Sequence, residues 1–360
     1  EVWMTTVSMP LKAAAPLTGA VFKWLAIVMF AMLAVLFSGV SHADQTALSK
    51  EQAARQAEQP GNNAPVWRAA SSGESFVTQV KGRETGVLIN KSGEVWREIR
   101  NDRIIQYGGW LVSLAFLAIM AVYLLKGPIK LPEKRTGRLI ERFTSAERLA
   151  HWTMAFSFVA LGITGLLLMF GKYVVAPVLG LTAFSWIAIL CKNVHNFVGP
   201  LFSVSIIVFF VMYVKDNLPE KNDMLWLKKA GGLFGHVPAG RFNMGEKVWF
   251  WGGVTALGIA VSVTGYILDF PNFDQVRLTM QQAHVVHATA AIVFISMALG
   301  HIYIGSIGME GALEAMRDGY VDETWAKAHH EDWYNDIKAG KVPAVRSKQG
   351  AEVMGSQVLS

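Results

Sequence analysis

Five runs of this chain are long enough, and poor enough in charge, to cross a bilayer as helices. They are Ile104–Leu125, Leu149–Gly171, Asn193–Val214, Val248–Leu268 and Leu278–Met309. The first four hold 22, 23, 22 and 21 residues and the last holds 32, against the roughly 20 that span the hydrocarbon core. The last run must therefore include a lead-in or turn outside that core. In lipid, every backbone N–H and C=O has to be paired within the protein, so runs of this length fold as helices packed into a bundle. Composition agrees, at 52% hydrophobic and only 17% charged residues, where soluble domains carry about 25% charged. The expected class is an all-α integral membrane protein.

The loops predict its topology. Residues 126–148 hold seven Lys/Arg and residues 215–247 hold six, whereas the intervening loops hold Lys172 and Lys192 in one case and only Arg277 in the other. Basic loops stay on the cytoplasmic side, so the region before Ile104 is expected outside and the tail after Met309 inside. The net charge of +6 is then a property of loops that meet anionic lipid. Lys12 and Lys23 precede an uncharged run, Trp24–Val40, that ends in Ser41-His42-Ala43. This pattern predicts a signal peptide over 1–43; the alternative is a retained anchor. Residues 44–103 are polar and mixed in charge. Within them Ser75–Val80, Gly86–Asn90 and Glu94–Ile99 read as short strands, with a hairpin turn at Lys91-Ser92-Gly93. The expected organisation is a signal segment (1–43), a small extracytoplasmic β-containing cap (44–103), one extra membrane helix (104–126), a four-helix bundle (149–309) and a cytoplasmic tail (310–360).

The chemistry lies in the histidines. His287 and His301 share the last apolar run and are fourteen residues apart, which places them about 40° apart on one helix face and ~21 Å apart along the axis. The topology sets His195 near the outer surface with His287, and His151 near the inner surface with His301. Polar groups at these depths are costly and mark working sites. Two ligands in each layer suit an iron already holding four porphyrin nitrogens, and suit tetrahedral zinc poorly. A proton relay would call for carboxylates among them, and Asp269 and Glu246 lie only at helix ends. Cys191 is the one cysteine, which excludes an intrachain disulfide, a Cys-ligated iron–sulfur cluster and a covalent Cys-x-x-Cys-His haem on this chain. The residues thus predict two bis-histidine b haems carried by the four-helix bundle. The opposing interpretation is structural histidines in a non-redox anchor. Gly162-Ile163-Thr164-Gly165 and Val263-Thr264-Gly265 recur at similar places in two helices, where glycine admits either a porphyrin or a neighbouring helix.

Residues 104–340 resemble the cytochrome b (gamma) subunit of membrane-bound respiratory formate dehydrogenase. The resemblance rests on Glu141–Trp152, Asn193–Gly199, Phe242–Lys247, His287 to His301, and the tail Trp325–Tyr334. It implies a dihaem core with the pairing given above, and a quinone site (menaquinone or ubiquinone) at Asn243, Gly245 and Glu246 beside the inner haem. Related members carry Gln where this chain has Glu246, so a proton-accepting role or a changed quinone preference is open there. The resemblance further implies an iron–sulfur beta subunit and a molybdenum or tungsten alpha subunit as partners. The complex would sit in a bacterial inner membrane, and this chain would pass electrons to quinone without itself oxidising formate. The histidine set is shared with hydrogenase and other cytochrome b subunits, so the cytochrome b subunit of a hydrogenase or thiosulfate reductase is the alternative. Asn243 with its glycine is also ordinary helix-capping chemistry. His284 is expected at the outer interface, His236 exposed in a loop, and His329 and His330 in an amphipathic surface tail.

Overall fold

The computed structural model describes residues 64–74 and 91–348 except 230, 232–234 and 274, together with 50, 54 and 350. In chain order come α1 (Ala64–Ser72), α2 (Lys91–Lys126), β1 (Leu139–Glu141), α3 (Ser145–Val174), α4 (Ala176–Tyr213) and α5 (Asp223–Lys228). They are followed by α6 (Met244–Asp269), α7 (Arg277–Gly308), α8 (Ala312–Arg317), β2 (Tyr320–Asp322), α9 (Glu323–His329) and α10 (Glu331–Lys338). The helices α2, α3, α4, α6 and α7 are each long and apolar enough to cross a membrane. Side chains such as Leu114, Phe156, Ile163, Ile207 and Ile259 are exposed on them. An apolar belt of that kind is stable only against lipid, and the protein is a membrane protein.

Local sequence explains where these helices begin and bend. α3 opens on a capping box in which Thr144 Oγ1 accepts from the Glu147 N–H and Glu147 accepts from the Thr144 N–H at 2.8 Å. α6 opens on the same device, built from Asn243 and Glu246. The start of α4 is broken at Gly180, whose φ of 81° only glycine adopts without strain. α4 therefore begins well before the expected Asn193. Lys192 and Asn193 interrupt the hydropathy of this segment and leave its helical backbone intact. α6 is wound as π-helix over Trp249–Leu257, and the last turn of α7 over Ile304–Gly308. α2 packs on α7 through Ile104, Val112, Ala288 and Ile292. The approach is close at Gly108, where a Cβ would come within 2.3 Å of the Ile292 side chain.

At one end of the bundle the chain after α7 folds back on the loops. β2 pairs antiparallel with β1 in the register Leu139↔Asp322, Ile140↔Val321 and Glu141↔Tyr320. Phe143, Tyr213, Phe242, Phe250, Trp325 and Trp333 form one buried cluster beneath it. The tail is thus a folded plug whose core is continuous with the helix ends.

Two expectations need correction. Glu94–Ile99 is not a strand and Lys91-Ser92-Gly93 is not a hairpin turn: both lie in α2, so the helix expected from Ile104 begins at Lys91. A six-residue window cannot separate a period of 2 from one of 3.6. The helix wins because Glu94 and Arg97 pair one turn apart at 2.7 Å, and because Trp96 lands on His284 of α7, ring centres 5.6 Å apart. The signal segment 1–43 and the runs Ser75–Val80 and Gly86–Asn90 lie outside the described residues.

Candidate functional site: two histidine pairs

The four histidines come from α3, α4 and α7 and meet in two layers. His195 of α4 faces His287 of α7 with ring centres 6.1 Å apart and planes at 70°. His151 of α3 faces His301 of α7 at 6.2 Å and 54°. The first layer lies far from the folded tail and the second lies beside it. Between them Phe158 and Phe294 (4.6 Å) pack with Phe202 and Met154, Ile206 and Val254, a buried apolar filling. No cluster of three or more His, Cys, Asp or Glu able to hold a bare metal ion occurs among the described residues.

In the far layer both rings are oriented by hydrogen bonds. Thr164 Oγ1 is 2.9 Å from His195 Nδ1, and Thr264 Oγ1 is 3.1 Å from His287 Nδ1. Each hydroxyl donates its proton to a carbonyl one turn back, Ala160 at 2.8 Å and Ala260 at 2.5 Å. It can therefore only accept from the ring. The Val261 carbonyl, 3.0 Å from His287 Nδ1, also only accepts, and the Leu161 backbone bonds to His195 in the same way. Both Nδ1 atoms thus carry the proton, and both Nε2 lone pairs are free. The adjacent glycines complete the fit: a Cβ on Gly165 would lie 3.3 Å from His195 Cε1, and one on Gly265 3.4 Å from His287 Cε1. A cleft lined by both rings with Gly199, Pro200, Ser262 and Tyr266 opens beside them.

In the tail-side layer aromatic rings hold the histidines. Trp249 stacks on His301 at 4.8 Å with planes only 12° apart. Trp152 lies edge-on to His151 at 5.3 Å, its own N–H donated to the Met316 carbonyl, and Phe209 lies 6.4 Å from the same ring, centre to centre. Gly253 makes this possible, because a Cβ there would fall 2.6 Å from the Trp249 ring. His151 Nδ1 is buried with no hydrogen-bond partner among the described residues.

Below this layer lies a charged network. Asn243 Oδ1 accepts from the Glu246 N–H at 3.1 Å, and Glu246 Oε2 accepts from the Asn243 N–H at 2.9 Å. Gly245 lets Trp226 approach, for a Cβ there would lie 2.7 Å from its ring. All three residues therefore have a structural job in the turn that leads, three residues later, to Trp249. Glu246 Oε1 also accepts from Arg142 at 2.8 Å. The buried Arg142 donates to His330 Nε2 at 2.9 Å, and His330 Nδ1–H donates to the Gly240 carbonyl at 2.8 Å. Burial, with the Arg142 charge beside it, holds His330 neutral and well below the ordinary imidazole pKa. The same two causes take His329 down to about 4.

The expected surface tail is thus corrected: His330 is 1% exposed, inside the fold. Composition could not reveal this, since a charged amphipathic segment looks alike on a membrane or on its own loops. His236 is exposed as expected, 2.8 Å from Glu331. Arg142 and the two threonines were missed as functional candidates; the Thr-Gly recurrence was the signal for the latter.

Residues 142–319 match the model of the prokaryotic cytochrome b561 family, a span that includes all four histidines. Among curated relatives, the formate dehydrogenase cytochrome b556(fdo) subunit of Escherichia coli K12 is 30% identical over 210 residues, covering 55% of this chain and 93% of the relative. The nitrate-inducible cytochrome b556(Fdn) subunit of the same strain is 29% identical, covering 56% and 93%. The formate dehydrogenase cytochrome b556 subunit of Haemophilus influenzae is 27% identical over 232 residues, covering 62% and 93%. With a histidine-bearing helical bundle, and relatives matched over nearly their whole length, the chain belongs to the prokaryotic cytochrome b561 family and is a homologue of formate dehydrogenase cytochrome b556 subunits.

Proposed function

We propose that this chain is the dihaem cytochrome b membrane subunit of a formate dehydrogenase complex. It anchors the complex and passes electrons from an iron–sulfur partner subunit to membrane quinone. His195 and His287 hold the outer haem b, and His151 and His301 the inner one. The observation that carries this reading is the ring spacing. First-row metal–imidazole bonds of about 2.0–2.1 Å, with ~1.1 Å from ring nitrogen to ring centre on each side, put two axial imidazoles about 6.3 Å apart. The two pairs stand at 6.1 and 6.2 Å. When bound, each haem would be held by one histidine pair and would supply a one-electron iron couple suited to electron transfer.

The residues of this chain do the rest. Thr164 and Thr264 present bare Nε2 atoms to the far site, Trp249 and Trp152 fix the rings of the tail-side site, and the phenylalanine layer makes the space between them apolar. The basic loops assign the tail side to the cytoplasm. There Asn243, Gly245 and Glu246 are the quinone candidates, supported by the single turn that joins Glu246 to the Trp249 stacked on His301. A partly exposed carboxylate beside Arg142 and His330 can accept and pass a proton there. Iron–sulfur and molybdenum or tungsten subunits follow as partners. The relatives favour formate dehydrogenase over hydrogenase or thiosulfate reductase.

The test is haem stoichiometry in the purified complex, with reduced-minus-oxidised spectra. Two b haems per chain are expected, and one each in His195→Ala and His301→Ala, with quinone reduction lost in both. Unchanged stoichiometry in either variant refutes the ligand assignment.

A further inference from the structure

The far-layer cradle is built twice on one spacing. Leu161, Thr164 and Gly165 of α3 serve His195 of α4, and Val261, Thr264 and Gly265 of α6 serve His287 of α7. Both helices begin on the same capping box, so the faint recurrence in the sequence is a structural repeat about the far layer. The tail-side pair has nothing comparable: His151 Nδ1 is buried without an acceptor among the described residues, and His301 lies flat on an indole. An acceptor on Nδ1–H pushes electron density toward Nε2 and makes imidazole a stronger donor to a metal. A stronger donor set stabilises ferric over ferrous iron and lowers the reduction potential.

We propose that Thr164 and Thr264 are positioning residues that make the His195/His287 haem site the lower-potential of the two. Electrons that enter at the far layer then move downhill toward the tail side. This rests on the dihaem reading above. It adds a residue-level cause for direction that the pairing alone does not contain.

The test is an optical redox titration of the purified complex. Two midpoints are expected, and the lower one should be the component missing in His195→Ala. Thr164→Val and Thr264→Val keep shape and remove the hydroxyl acceptor while the Leu161 and Val261 backbone acceptors stay; each should raise the lower midpoint and leave the higher unmoved. The double variant should bring the two closer together. Thr264→Ser keeps the hydroxyl and should titrate as the unmodified protein does. The inference is overturned if the valine variants move neither midpoint or only the higher one, if serine shifts the midpoint as far as valine, or if the lower midpoint survives in His195→Ala. Absence of two haems from the unmodified complex overturns the dihaem reading instead, so the two failures are distinct.

Discussion

The two histidine layers reach nearly the same ring separation, 6.1 and 6.2 Å, by different means. In the far layer, hydroxyls and carbonyls on α3 and α6 grip each Nδ1 and so settle both orientation and tautomer. In the tail-side layer, one stacked and one edge-on indole settle orientation alone. The separation is therefore a property of how the helices pack, and the electronic character of each pair is a property of what stands behind the rings. Surroundings differ as well. The far layer is bordered by apolar helix and a cleft, whereas the tail-side layer sits on a network of Arg142, Glu246 and His330 that ties the folded tail to the bundle.

The largest effects come from the rings themselves. His195→Ala and His301→Ala should each abolish quinone reduction while removing different haem components, as read by low-temperature spectra. Loss of both haems from one substitution would mean that the layers are not independent.

Acid should separate the layers next. His329 and His330 are neutral in the fold, whereas in the unfolded chain they protonate below about pH 6.5. There the unfolded state binds more protons, so stability is intact above that pH and falls as pH drops through it. For His329 the loss runs down to about 4, and for His330 it extends lower, at up to about 1.4 kcal/mol per pH unit for each group. Hydrogen exchange should show α9 and α10 loosening between pH 8 and pH 5 with the α3 and α4 amides around His195 unmoved. Equal loosening at both ends would erase the contrast.

Smaller changes sharpen it. Trp249→Leu removes the ring from His301 and should cost about 0.5–1.5 kcal/mol of aromatic contact, altering only the tail-side haem spectrum. Gly253→Ala, which displaces the same indole, should have the same signature. Glu246→Gln keeps a capping-box side chain but gives Arg142 a neutral partner. Glu246 is more than a third exposed but Arg142 is buried, so the stability cost should lie between that of a surface pair and that of a buried one. Its main effect is expected on the pH profile of quinone reduction at constant haem content.

Much of this was legible in the residues. Five apolar runs became five long helices, because length and hydropathy leave a chain in lipid no alternative. The layer pairing of His195 with His287 and His151 with His301 followed from helical rise and loop charge, and the structure brings these same rings together. The boundaries of α2 and α4 did not follow, since a helix that leaves the hydrocarbon core is free to continue through polar residues such as Glu94 or Lys192. The β1–β2 pair joins three-residue segments 181 residues apart (Glu141 to Asp322), too short for any local pattern to announce.

Sequence by itself settled that this chain crosses a membrane as helices and carries four histidines at two depths, because those conclusions need only hydrophobicity, periodicity and charge. Tertiary structure alone decided which threonine stands behind which imidazole, that Trp249 covers His301, and that His330 is buried against Arg142. Those contacts depend on how far each helix is rotated and how closely it approaches its neighbour. Rotation and approach are set by small residues and π turns, at Gly108, Gly253 and Trp249–Leu257, whose effect appears only when two surfaces meet.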